Sequence, residues 1–437
     1  MAGADQGSAD RAASTGPPGW DCMPEVQRGS APVRVGWRFV TLYALSYTGG
    51  SLLFLAPLLV SLALKVNDLV GIEAAPAKLA MVTGIGSLFS IVANPLFGRL
   101  SDRTTSRIGM RRPWMVTGVA LGAAGTLTVA TATSITVVLV GWCVCQVFFN
   151  AILAAQTAVL PDQVPSEQRG MVSGLLGLSV PVASVVGTYL VQAFRGSMLL
   201  MFLVPCGVGA AAVLLFAWRL SDRRLSPQDK PAWSLRELAG TFYVNPRRNP
   251  DFAWAFFSRF LFIMAYAFLV TYQAYYLLAE VGIAEPDVPR QVYLGTVVQS
   301  LCLVLVAPLA GRLSDRVGRR KPFIVLAAVV YAAALVLLAA SSSVAGYLVA
   351  MAVGGVGFGM YISVDLALVA DVLTDPLTAA KDLGVLNIAG AAPFALAPAL
   401  APGLLALGHD NYSVLYAVAA ACALAAAAAV LPIRRAA

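Results

Sequence analysis

Two ionisable residues, Arg259 and Asp365, stand inside stretches of chain that are otherwise apolar. Charge placed among apolar groups costs at least a few kcal/mol unless it is paired or used. An arginine and a carboxylate at matching depth can form a static ion pair, or one that opens when the carboxylate takes a proton. Tyr361 precedes Asp365 by four positions and shares its helix face. Arg259, Tyr266 and Gln273 recur at seven-residue spacing, which returns to nearly the same face of a helix. Gln146, Asn150 and Thr157 form a similar stripe, and Tyr43 with Tyr47 a shorter one. Amide and hydroxyl groups beside flat aromatic rings suit a small molecule rich in hydrogen-bonding groups. They suit an amphiphilic, drug-like molecule with fewer polar partners as well. Hydrogen bonding between helices is the competing role for each of these side chains.

Other chemistries find no footing. The single histidine, His409, falls in a short loop, so neither a histidine metal site nor a Ser-His-Asp triad can be assembled. There is no HExxH, GxSxG or GxxxxGK[ST] pattern. The six cysteines form no ligand spacing, and Cys143 and Cys145 point to different helix faces. No cofactor or metal is expected, and the chain reads as a non-enzyme.

The elements that must position the stripes are membrane spans. Hydrophobic residues make up 59% of the 437 and charged residues 12%, and mean hydropathy is +0.78, far from the soluble pattern in which roughly a quarter of residues are charged. Twelve apolar runs long enough to cross a hydrocarbon core of about 30 Å are read at 37–63, 77–97, 113–133, 135–160, 171–193, 197–218, 251–278, 292–310, 323–341, 345–369, 384–407 and 412–432. This is an all-α polytopic membrane protein. The net charge of +8 does not mark a nucleic-acid partner, because Lys and Arg gather in the tails and alternate loops. Only Lys65, Lys78, Arg195 and Arg290 fall on the other side. That asymmetry predicts both termini in the cytoplasm and basic loops against anionic lipid. Residues 1–35 lack an apolar core and read as a disordered tail. Residues 220–250 are too polar to cross and read as a linker between a first bundle at 36–219 and a second at 251–433, with a short tail at 434–437.

The two bundles repeat one another. Gly98-Arg-Leu-Ser-Asp102-Arg103 returns as Gly311-Arg-Leu-Ser-Asp315-Arg316, and Arg111-Arg112-Pro113 as Arg320-Lys321-Pro322. Gly98 and Gly311 stand 213 positions apart but Pro113 and Pro322 stand 209, so the first copy carries four extra residues in this loop. Asp162 and Asp371 are again 209 apart, which pairs Gln156 with Asp365. Pro181 and Pro393 are matched as well and predict matched kinks. Guanidinium groups beside Asp102 and Asp315 can bind carboxylates and carbonyls bidentately. With Arg103, Arg111, Arg112, Arg316, Arg319 and Arg320 they form a candidate latch between the halves.

Six plus six spans with Gly-x-Leu-Ser-Asp-Arg-x-Gly-Arg-Arg between the second and third of a half resemble the major facilitator superfamily. The second copy carries this pattern through Gly311, Leu313, Asp315, Arg316, Gly318, Arg319 and Arg320. The first copy, with Met110 interrupting its basic triplet, is similar to the branch that holds the sucrose and glycoside–pentoside–hexuronide carriers. The resemblance implies two pseudo-symmetric six-helix bundles that rock about a central site in the inner or plasma membrane. It implies uptake of a sugar or glycoside with a proton by a cofactor-free monomer with no obligate protein partner. Substrate contact then falls to Tyr43, Tyr47, Gln146, Asn150, Arg259, Tyr266, Gln273 and Tyr361. Coupling falls to Asp365 with Arg259, since no acidic residue lies within a first-half span. Proton-coupled efflux of drug-like or natural-product molecules and uncoupled uniport are the alternatives.

Overall fold

The computed structural model describes residues 34–226, 249–372, 386, 388–408 and 411–433. Cys22, His409, most of the two tails, most of the 220–250 linker and the loop from Thr374 to Gly384 lie outside them. Among the described residues the chain is all helical, with twelve helices long and apolar enough to span a membrane. In chain order these are α1 (Trp37–Val70), α2 (Ala75–Asp102), α3 (Arg112–Thr131), α4 (Ile135–Gln163), α5 (Glu167–Ala193) and α6 (Met198–Arg219). The second half supplies α7 (Pro250–Ala279), α8 (Glu285–Val317), α9 (Lys321–Ala339), α10 (Val344–Val372), α11 (Ile388–Leu407) and α12 (Tyr412–Val430).

Local chemistry explains where they begin and end. Pro113, Pro250 and Pro322 sit in first turns, where a missing N–H costs nothing. The Ser134, Ser197 and Asn411 side chains accept from backbone N–H groups of α4, α6 and α12. Gly318, at φ 67°, ends α8 in the left-handed conformation. Helix α1 runs seven residues beyond the expected end, through a π-helical turn at Pro57–Ser61, and stops at Gly71. The matched prolines do interrupt their helices: α5 breaks at Leu178, just before Pro181, and α11 resumes at Pro393 after Ala392. A proline denies a hydrogen bond to the preceding turn, so both breaks have the same cause.

Packing repeats between the halves as the sequence does. In the first bundle α4 lies against α2 and α3, and α1 against α5 and α6; in the second, α10 lies against α8 and α9, and α7 against α11 and α12. The bundles meet most extensively through α2 with α11 and α5 with α8, which the repeat exchanges, and α1 also touches α7 and α8. Close approach depends on small residues in lipid. A Cβ on Gly49 of α1 would stand 2.7 Å from the Gly209 carbonyl of α6, and the reverse distance is the same.

Candidate functional site

A cavity of about 330 Å³ lies between the bundles. The first half lines it from α1, α4 and α5, the second from α7, α8 and α10. Tyr43, Tyr47 and Thr157 face Tyr266, Gln273 and Phe358 across it. Tyr43 is held rigidly: its hydroxyl donates to the Gln156 carbonyl at 2.6 Å and its ring stacks on Phe216. Tyr266 stacks on Phe358 with centroids 4.5 Å apart. Gln273 accepts a hydrogen bond from the Tyr347 hydroxyl at 3.3 Å, which fixes its carboxamide against the wall. No charged side chain lines this cavity among the described residues.

Four of the eight expected contact residues, Tyr43, Tyr47, Tyr266 and Gln273, therefore line the cavity, while the other four lie off it. Gln146 and Asn150 face α2 instead: the Asn150 amide donates to Ser90 Oγ at 2.8 Å and to the Gln146 carbonyl at 2.7 Å, and its Oδ1 accepts from Asn94. Tyr361 stacks on Phe262 and donates to Asp365 at 2.9 Å. Sequence reasoning passed over Thr296, Gln299 and Ser300 of α8, which do line the cavity. Their spacing of three and four is the signal that marks one helix face. Gln299 Nε2 is sequestered from solvent without a partner.

Arg259 and Asp365 form an ion pair, Nη1 to Oδ2 at 2.9 Å, with side chains 20% and 9% exposed. The pair joins α7 to α10, and its carboxylate carries the Tyr361 bond on the other oxygen. Arg259 Nε remains buried and unpartnered, facing Gly390 of α11.

At the end where the basic loops gather, Arg111 bonds Asp102 at 2.6 Å, Asp162 at 2.9 Å and Ser101 Oγ at 2.5 Å, its own side chain only 5% exposed. Burial by itself lowers the guanidinium pKa, but the bonds to Asp162 and Asp102 outweigh it and raise the value. Arg320, the repeat counterpart of Arg111, pairs with Asp315 and bonds Ser314. Each of these pairs stays within one half. Arg112 donates to the Trp218 and Leu220 carbonyls, and Asp222 accepts from the backbone N–H groups of Arg111 and Arg112. The four extra residues of the first copy lie in the loop held by this strap, and Gly109 crosses it at φ 114°.

At the opposite end the halves are bonded to each other. Tyr275 of α7 donates to the Ala63 carbonyl of α1 at 2.9 Å. Tyr272 donates to the Pro76 carbonyl of α2 at 3.5 Å. Asn67 donates to Glu285 at 3.2 Å, and Arg195 pairs with Asp287 at 2.9 Å. The cavity is thus tied shut on that side.

Two bundles around a shared cavity are the build of a membrane carrier. The family model of the Major Facilitator Superfamily matches residues 39–286 and 288–437, and the chain belongs to that superfamily. It is a multi-pass membrane transporter for a small molecule. A crystal structure of a variant of the nucleoside transporter NupG superposes with TM-score 0.72 at 13% identity, covering 90% of this chain and 99% of that one. A bacterial homolog of the human lysosomal transporter Spinster, in inward-facing forms, gives TM-scores of 0.60 unoccupied and 0.62 occupied, at 14% identity. These cover 90% and 92% of this chain and 94% and 96% of those. A Synechocystis sp. protein described as an uncharacterized symporter is 44% identical over 54 residues, which is 12% of this chain and 10% of that protein.

Proposed function

We propose that this transporter takes up a neutral sugar or glycoside together with a proton, by alternating access. The observation that carries the cargo is the cavity wall: hydroxyls of Thr296 and Ser300, carboxamides of Gln273 and Gln299 and the rings of Tyr47 and Tyr266, with no charge among them. A polyhydroxylated neutral molecule can replace its water hydrogen bonds there, whereas an ion would enter uncompensated. The volume stands at the low end of the roughly 300–1,000 Å³ usual for small-molecule sites. The likeness of the first arginine loop to the sucrose and glycoside carriers supports the same cargo.

The gathering of Lys and Arg in one set of loops supports a cytoplasmic location for that end and for both termini, and the proposed membrane is the inner or plasma membrane. The end bonded through Tyr275, Tyr272, Asn67 and Arg195 is then external. The halves 36–219 and 251–433 rock about the cavity, joined by 220–250. When the cytoplasmic side closes, the loops bearing Asp102, Arg103, Arg111 and Arg112 meet those bearing Asp315, Arg316, Arg319 and Arg320. Proton coupling rests on Asp365: a proton on its carboxylate removes the charge that holds Arg259 and frees α7 from α10.

Efflux of a less polar molecule is the second reading, favoured by the apolar share of the wall, with Leu59, Leu160, Leu176, Leu303, Met351 and Ile362. Uptake of labelled disaccharides into proteoliposomes under an inward proton gradient tests the first. Gradient-driven accumulation supports it. No uptake across a broad sugar panel, with drug export in the same vesicles, establishes the second.

A further inference from the structure

The corner where α1 begins and α6 ends carries the exposed arginines Arg34, Arg38, Arg219, Arg223 and Arg224, and no described carboxylate pairs with them. Asp222, which adjoins Arg223 in the chain, is occupied by the backbone N–H groups of Arg111 and Arg112. Phe39 and Phe216 meet at 5.8 Å and mark the contact line between the two antiparallel helices. Arg38 stands one residue before Phe39, and Arg219 three after Phe216. At 3.6 residues per turn on antiparallel helices, both offsets turn to the same flank of that line. Leu45 and Leu215 share the flank and are 48% and 40% exposed. Trp37 and Trp218, 65% and 69% exposed, border it on either side, and Arg219 lies over the Trp218 ring at 4.6 Å. Two cations at the interfacial end of an apolar groove, edged by amphipathic rings, match a phosphate joined to an acyl chain.

We infer that this groove binds one anionic phospholipid, its headgroup between Arg38 and Arg219 and a chain along Leu45 and Leu215. The groove is separate from the cavity and from the Arg259–Asp365 pair.

The test uses the full chain in mild detergent with equimolar phosphatidylglycerol and phosphatidylcholine of matched chains, read by native mass spectrometry. One phosphatidylglycerol is retained in preference. Arg38→Gln with Arg219→Gln lowers its retention about thirtyfold, at roughly fivefold per arginine near an anionic surface. Arg312→Gln, an exposed arginine at the same end of α8, leaves it unchanged. Equal retention of the two lipids, or an equal loss in Arg312→Gln, overturns the site. Brominated lipid on the unaltered chain gives a second reading. Stronger tryptophan quenching by brominated phosphatidylglycerol, displaced by that lipid and not by inorganic phosphate, supports the site; equal quenching by both lipids overturns it.

Discussion

Arg259 and Asp365 sit 2.9 Å apart on helices that face one another within the second half, and Tyr361 donates to the same carboxylate from one turn away. Removing one partner of a buried ion pair strands the other, which costs about 3–5 kcal/mol, whereas removing both costs far less. Arg259→Gln is therefore expected to destabilise the chain strongly and Arg259→Gln with Asp365→Asn to recover most of the loss. Equilibrium unfolding in detergent reads this, and equal effects of the single and double variants would count against a tightly coupled pair.

The same carboxylate separates coupling from structure. Asp365→Asn keeps a group that accepts from Tyr361 but takes no proton. Proton-driven accumulation is expected to vanish while cargo exchange across equilibrated vesicles continues. Accumulation that survives the substitution would remove Asp365 from coupling and leave the cargo assignment standing.

The cavity predicts which polar side chains meet the cargo. Gln299→Ala deletes a carboxamide from the wall and is expected to raise KM roughly two- to tenfold, the value of one hydrogen bond. Gln146→Ala, which lies off the wall against α2, should leave KM unchanged even if it lowers stability. Initial-rate uptake over a range of cargo concentrations decides, and the reverse pattern would move the site.

The bond from Tyr275 to the Ala63 carbonyl is among those that hold the end opposite the basic loops closed. Tyr275→Phe removes about 1 kcal/mol from that closure and so shifts the ratio of the two facing states by about fivefold. Spin labels at Asp68→Cys and Arg290→Cys should report a larger fraction of long distances in the variant. An unchanged distance distribution would show that the closure lies elsewhere.

Gly109 has φ 114°, and a Cβ there would stand 2.2 Å from Asp222 Oδ2. Gly109→Ala is expected to lower stability by about 1–3 kcal/mol, by forcing a left-handed alanine and by displacing the strap. Gly98→Ala meets nothing within 4 Å and serves as the control. Matched melting temperatures for the two would dismiss the strap.

Much of this protein is legible from residues in order. Apolar run length against bilayer thickness sets twelve spans, and the returning Gly-Arg-Leu-Ser-Asp loop divides them into two like bundles. Charges inside spans single out Arg259 and Asp365, because a lone charge in lipid is untenable and each therefore seeks a partner. The period of a helix also assigns residues to shared faces. It does not say which neighbour that face meets. Gln146 and Asn150 share a stripe with Thr157, yet the stripe turns from α2 toward the cavity along its length, and only Thr157 arrives there. Gln299 carries the same signal and reaches the wall. Which polar faces converge on the cavity depends on how each helix is rotated against its neighbours, and close contacts such as Gly49 on Gly209 set that rotation. The arginine loops show the same division. Their repeat is written in the chain, but that Arg111 bonds Asp102 and Asp162 within its own half follows from where α2, α3 and α4 end in space.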